Sequence, residues 1–251
     1  MALVRREQWP SGRTLRLSAA AGIGLFVVPA VLIAVAKDSI DDSTRLVLFS
    51  LVPIFAVVLN PHLGTSSSVQ QRGSLAASLV AVTGTLFVFP LELPQTIATA
   101  FAFAGILAAT ASVAAANCVA ARIASEPPAP SMLSFATVVT GSSALVLGAL
   151  GALTEHHLPS ATLVDPWLAL DLLALALLFW LMRRMTAVRM TTRFIIAPLL
   201  ANLIGLAFLR PGVQTRGWLG LTLIAMGSGW LLLAPEDEPE RTGSSLSIHQ
   251  P

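Results

Sequence analysis

The amino-acid sequence predicts an all-α membrane protein of about eight transmembrane helices, built as an inverted repeat in which three helices stand against five. Three observations carry that expectation. Of 251 residues, 55% are hydrophobic and only 11% charged, whereas a soluble domain carries about a quarter charged residues. The apolar residues fall in blocks long enough to cross a ~30 Å hydrocarbon layer as helices. Two stretches far apart in the chain also share one pattern of phenylalanine, proline and glycine.

The first block covers residues 17–36 and follows Arg5, Arg6, Arg13 and Arg16. Its Ala34-Val35-Ala36 end has the form of a signal-peptidase site, but 20 apolar residues exceed the ~7–15 of a signal core, so the block reads as a retained span. The second and third blocks are 46–63 and 73–89, each bounded by charge or by proline and glycine. Blocks four and five, 97–121 and 132–153, are alanine- and glycine-rich. Blocks six and seven, 167–182 and 190–209, are interrupted by Asp171 and Arg193, and the eighth is 218–234. With the amino terminus in the cytoplasm, eleven arginines (Arg5, Arg6, Arg13, Arg16, Arg72, Arg122, Arg183, Arg184, Arg189, Arg193, Arg241) lie inside and Lys37, Arg45, Arg210 and Arg216 outside. Excess cytoplasmic positive charge sets orientation, so both termini are expected in the cytoplasm. The polar segment 236–251 reads as a disordered tail.

A shift of 145 residues superposes Phe49-Ser-Leu-Val-Pro53 on Phe194-Ile-Ile-Ala-Pro198, and also Gly84 on Gly229, Pro90 on Pro235 and Pro94 on Pro239. A one-residue slip pairs Arg72-Gly73 with Arg216-Gly217. Blocks two and three therefore repeat as seven and eight. Copies five helices apart enter the membrane from opposite sides, the inverted topology on which many secondary transporters are built. The units are residues 1–95, with three helices, and 96–235, with five; the first is expected to lack two helices of a five-plus-five pair.

The paired segments "LFSLVPIFAVVL" and "RGSLAASLVAVTGTLFV", and "FIIAPLLANLIGLAF" and "RGWLGLTLIAMGSGWLLL", resemble helix pairs four-plus-five and nine-plus-ten of EamA-type permeases in the drug/metabolite transporter superfamily. That resemblance implies a multi-pass permease of the inner (plasma) membrane, moving a small organic solute such as an amino acid, metabolite or drug-like compound, in the export direction, by alternating access. Two departures stand out: the family's first two helices have no counterpart, and a glutamate common before its Arg-Gly step is absent from "SSSVQQRG" and "RPGVQTRG". The alternative is a non-transporting membrane scaffold, or a truncated paralogue completed by a partner.

Six residues are candidates for the solute pathway. Pro53 and Pro198 remove a backbone donor and free the carbonyl oxygens of Phe49 and Phe194, predicting matched kinks; proline is also simply tolerated in membrane helices. Asp171 is the one acid inside an expected span and a candidate for proton coupling, set against its place barely a turn past the Asp165-Pro166 helix start. Asn117 and Asn202 offer amides to a solute or to each other, and serve equally well as interhelical glue. Trp180 walls a cavity or belongs to the interfacial belt. The small residues Ala108, Ser112 and Ala116, spaced four apart, and the series Gly141, Gly148, Gly151 read as helix-packing surfaces, and the arginines at 183, 184, 189 and 193 as a cytoplasmic basic cluster.

Enzymatic motifs are absent from the sequence, and no cofactor is expected. The acidic Asp38–Asp42 loop has no second motif to complete a Mg2+ site, the adjacent His156 and His157 beside Glu155 do not converge on one metal, and Cys118 stands alone. Without a continuous Lys/Arg run, nucleic acid is not an expected partner. Membrane lipid, a small-molecule solute and a second copy in a homodimer are.

Overall fold

The computed structural model describes residues 9–63, 68–125, 129–154, 168–209 and 215–233. Arg5, Arg6, Arg210, Arg241, Glu155, His156, His157, Asp165, Trp167 and the 236–251 tail lie outside those residues. The described chain is helical throughout: α1 (Gly12–Gly22), a π-helical segment (Ile23–Val27), α2 (Val28–Ala36), α3 (Asp42–Phe49), α4 (Val52–Leu63), α5 (Ser68–Val88), α6 (Ile97–Ser125), α7 (Met132–Thr154), α8 (Leu168–Met182), α9 (Ala187–Thr191), α10 (Arg193–Leu209) and α11 (Thr215–Leu233).

Helix starts follow local side-chain chemistry. Asp41 caps α3, its Oδ2 accepting from the amides of Ser43 at 3.0 Å and Thr44 at 3.1 Å, which satisfies two of the donors a helix start leaves open. Thr96 and Thr99 cap α6 reciprocally: the Thr99 amide donates to Thr96 Oγ1 at 3.1 Å and the Thr96 amide to Thr99 Oγ1 at 3.0 Å. Threonine takes the place that Glu or Gln holds in a capping box. Ser131 accepts from the Ser134 amide at the start of α7.

Six helices are long and apolar enough to cross a membrane: Gly12–Ala36, Asp42–Pro61, Ile97–Ala124, Met132–Thr154, Ala187–Gly205 and Thr215–Leu233. These make the chain a helical, multi-pass membrane protein. The other two expected spans stop short of that measure. Helix α8 has 15 residues, about 22 Å at 1.5 Å per residue, less than the hydrocarbon thickness. Helix α5 has 21 residues but opens on the polar run Gln70, Gln71, Arg72.

Helix α6 is the hub. Its Val113, Ala114, Ala116, Cys118 and Ala120 pack with Val52 and Ala56 of α4, Leu25 of the π segment, Val139 of α7, Phe179 of α8 and Met190 of α9. A second cluster joins Ala77 and Ala81 of α5 to Ile224 and Leu231 of α11 and Ile195 of α10.

The α5–α11 pair is in backbone contact. A Cβ added at Gly84 would stand 2.7 Å from Gly220 O and 2.7 Å from Ile224 N, and one at Gly227 would stand 2.6 Å from Ala77 O and 2.6 Å from Ala81 N. The two contacts are equivalent under one offset: 227 − 84, 220 − 77 and 224 − 81 each equal 143. The helices run antiparallel, since Arg216 at the start of α11 donates to Leu86 O near the end of α5 while Gly227 meets Ala77. Thr85 Oγ1 donates to Ala81 O as Ser228 Oγ donates to Ile224 O, the same offset again. A local two-fold axis thus passes between the helices.

The packing corrects two sequence expectations. Gly229, matched to Gly84 by the 145-residue shift, meets nothing within 4 Å; Gly227 is the residue in the equivalent contact. Gly141, Gly148 and Gly151 also face open space, and Ala108 is exposed. Only part of the α6 stripe is a close approach: Gly24 lies against Ser112 and Ala116, and Ser112 Oγ donates to Gly24 O at 3.1 Å.

Candidate functional site

Besides the π-helical segment of the first span, two spans are broken between separate helices, and these two breaks meet. In Asp42–Pro61 the helix breaks at Ser50–Leu51, between α3 and α4, where Leu51 N bonds Leu48 O in a tightened turn. Pro53, buried in the first turn of α4, has no N–H to return to Phe49 O. In Ala187–Gly205 the break is at Thr192, between α9 and α10, with Ile195 N bonded to Thr192 O. Among the described residues, the amides of Arg193 and Phe194 have no backbone acceptor.

Across these breaks the rings of Phe49 and Phe194 stack, with centroids 6.2 Å apart and planes inclined by 26°. The Arg193 guanidinium lies over the Phe194 ring, its Cζ 4.8 Å from the centroid. Its Nη1 is buried and has no hydrogen-bond partner. Among the described residues the only ion pair is Arg45 with Asp42, in the first half of α3, one to two turns before Phe49.

The six sequence candidates are not gathered into one site. Pro53 and Pro198 are both buried and belong to the interrupted helices, but the kinks do not match: Pro53 lies next to its break, whereas α10 runs unbroken through Pro198. Asn202 Nδ2 donates to Pro198 O at 2.8 Å, within its own helix. Asn117 is 2% exposed and donates Nδ2 to Val113 O at 2.7 Å, which leaves its Oδ1 buried without a partner. The two asparagines therefore do not bond each other. Asp171 is exposed on α8, beside exposed Leu168, Leu170, Leu172 and Leu173. Trp180, also on α8, is half exposed, with Arg184 Cζ 5.7 Å from its centroid; this suits an interfacial tryptophan.

The expected basic cluster divides. Arg183 and Arg184 are exposed beyond α8, whereas Arg193 lies inside a span with a buried Nη1. Sequence reasoning passed over Arg193 as a topology signal, yet the repeat carried a better one. Under the 145-residue shift its counterpart is Leu48, a leucine only 2% exposed.

A separate cavity of about 100 Å3 lies between the α2–α3 connection and the start of α6, lined by Asp41, Thr44, Glu92, Gln95 and Thr99 among others. No group of three or more His, Cys, Asp or Glu side chains suited to a metal ion occurs among the described residues.

No family model matches the chain, and no curated protein matches it in sequence. Its fold does have relatives. A solved structure described only as "Crystal structure of protein" superposes on 93% of this chain and 82% of its own, with a TM-score of 0.70 and 16% identity. At that identity the likeness is one of fold.

Proposed function

We propose that the chain is an inner-membrane permease of the drug/metabolite kind that moves a small organic solute by alternating access. The meeting of two interrupted helices at Phe49 and Phe194 carries this reading. Interrupted helices at membrane depth are where secondary transporters build their binding sites, because free backbone groups are tolerated only beside a cavity or buried in protein. Each phenylalanine is the eighth residue of its span, counting from Asp42 (49 − 42 + 1) and from Ala187 (194 − 187 + 1), hence about 12 Å deep. Two equivalent residues at equal depth and in contact suit spans that enter from opposite faces. The antiparallel α5–α11 pair, with its reciprocal glycine contacts, supports the same inverted repeat. Both termini would face the cytoplasm, and the energy would come from an ion gradient, solute exchange or the solute's own gradient.

The test is counterflow in proteoliposomes across a panel of amino acids, organic acids and amines. Protein-dependent exchange of at least one class is the expected result; inert vesicles across the panel would remove the permease reading. A second reading, a membrane scaffold, draws on the exposed leucines of α8, which a partner would cover. Inert vesicles together with a stoichiometric membrane partner would favour it.

A further inference from the structure

We infer that the solute is an organic anion and that the Arg193 guanidinium holds its charged group. The inference rests on the permease reading and narrows its substrate class. Arg193 is half-buried, but its Nη1 is shielded from solvent without an acceptor, and a buried donor on a cation is normally paired. The protein's own acids do not complete it. Among the described residues, Asp38 and Asp41 lie in the α2–α3 connection and Glu92 in the α5–α6 connection, Asp42 opens α3 and is paired with Arg45, and Asp171 is exposed on α8.

Packing does not call for a charge at this place. Leu48, the repeat counterpart of Arg193, is buried next to its own phenylalanine, so an apolar side chain satisfies the equivalent position. Orientation in the membrane does not need it either, because Arg183 and Arg184 already place exposed positive charge beyond α8. What sets Arg193 apart is its setting at the break between α9 and α10. It is the first residue of a 17-residue helix, its own amide and that of Phe194 have no backbone acceptor among the described residues, and its guanidinium Cζ lies 4.8 Å from the Phe194 ring centroid. Planar guanidinium donors beside free amides match a carboxylate or phosphate group, which accepts several hydrogen bonds at once. A lipid phosphate has the same chemistry, so the test separates the two sources.

Thermal unfolding of the purified, delipidated protein in detergent would be followed with benzoate, succinate or inorganic phosphate, with neutral benzamide, and with dispersed phosphatidylglycerol. Wild-type protein is expected to gain stability from at least one soluble anion and none from benzamide. Arg193→Lys keeps the charge but loses the planar fork and the ring contact, so it should weaken the apparent affinity less than Arg193→Leu, which should lose it by at least tenfold. Since Arg193→Leu installs the residue of the equivalent position, it should fold, with a ligand-free midpoint at or above that of the wild type. An equal anion response in wild type and Arg193→Leu, no response to any of the three anions, or stabilisation by phosphatidylglycerol alone would each overturn the inference. Counterflow on the same samples separates it from the permease reading: Arg193-dependent anion binding without flux leaves the anion site standing and removes the permease, while flux of neutral solutes without an anion response does the reverse.

Discussion

The Phe49 ring stacks on the Phe194 ring 6.2 Å away, and each is the first residue of the same Phe-x-x-x-Pro pattern in its half of the chain. The two rings are matched by the 145-residue shift, so the contact joins corresponding positions of the two stretches.

The stack should carry measurable coupling. In a double-mutant cycle of Phe49→Ala and Phe194→Ala, the two stability losses are expected to be non-additive by about 0.5–1.5 kcal/mol, the usual worth of an aromatic pair beyond its buried area. Strict additivity in equilibrium unfolding would show that the rings touch without supporting each other.

The glycines of α5 and α11 separate by role. Gly84→Val or Gly227→Val would drive a side chain into opposing backbone, which cannot move aside as a flexible side chain can. A loss near or above the ~1–3 kcal/mol of ordinary overpacking is expected. Gly229→Ala, with open space around it, should be neutral or gain up to about 1 kcal/mol from better helix propensity. Unfolding midpoints of the three variants give the order; a Gly229→Ala loss as large as that of Gly227→Val would contradict the packing.

The Asp41 cap makes a pH-dependent contribution. Partial burial pushes its carboxyl pKa up, but hydrogen bonds from Ser43 and Thr44 outweigh that and leave it below the ordinary carboxylate value. A lowered folded-state pKa means the stabilisation is fully present above the unfolded value of about 3.9 and is lost as the pH falls through the folded value. Asp41→Ala should cost about 1 kcal/mol at neutral pH, and the difference from wild type should shrink below about pH 4. A difference that stays constant down to pH 2 would rule out the carboxylate as its source.

All eight segments read as helical are helical in the structure where it describes them, because blocks of apolar residues are explicit in a linear sequence. Span count was less legible: α8 is short, and the polar first turns of α5 lower its apolarity. The Phe-x-x-x-Pro match was visible at Phe49 and Phe194, whose rings do meet, but a fixed 145-residue shift misassigned Gly84, since the equivalent contacts of α5 and α11 are 143 residues apart. The spacing that would have found it is small residues seven apart, Ala77 with Gly84 and Gly220 with Gly227, which fall on one helix face after two turns. Arg193 was read with its arginine neighbours because linear proximity suggested one cluster; burial, which separates them, is a property of three dimensions.

The π-helical segment Ile23–Val27 divides the first span into two α-helical stretches. Wide turns of this kind correspond to one residue too many for an α-helix, so the stretches before and after keep independent angular phases, about 100° out of step. Below the wide turn, Gly22 can face Val139 and Ser143 of α7; within it, Gly24 faces Ser112 and Ala116 of α6. Two residues two apart already diverge by about 200° on a regular α-helix, so the wide turn adjusts the angle between these contacts. Deleting the surplus residue would rotate the whole amino-terminal stretch by about 100° and shift the Gly22 contact with α7 without altering a single side chain there.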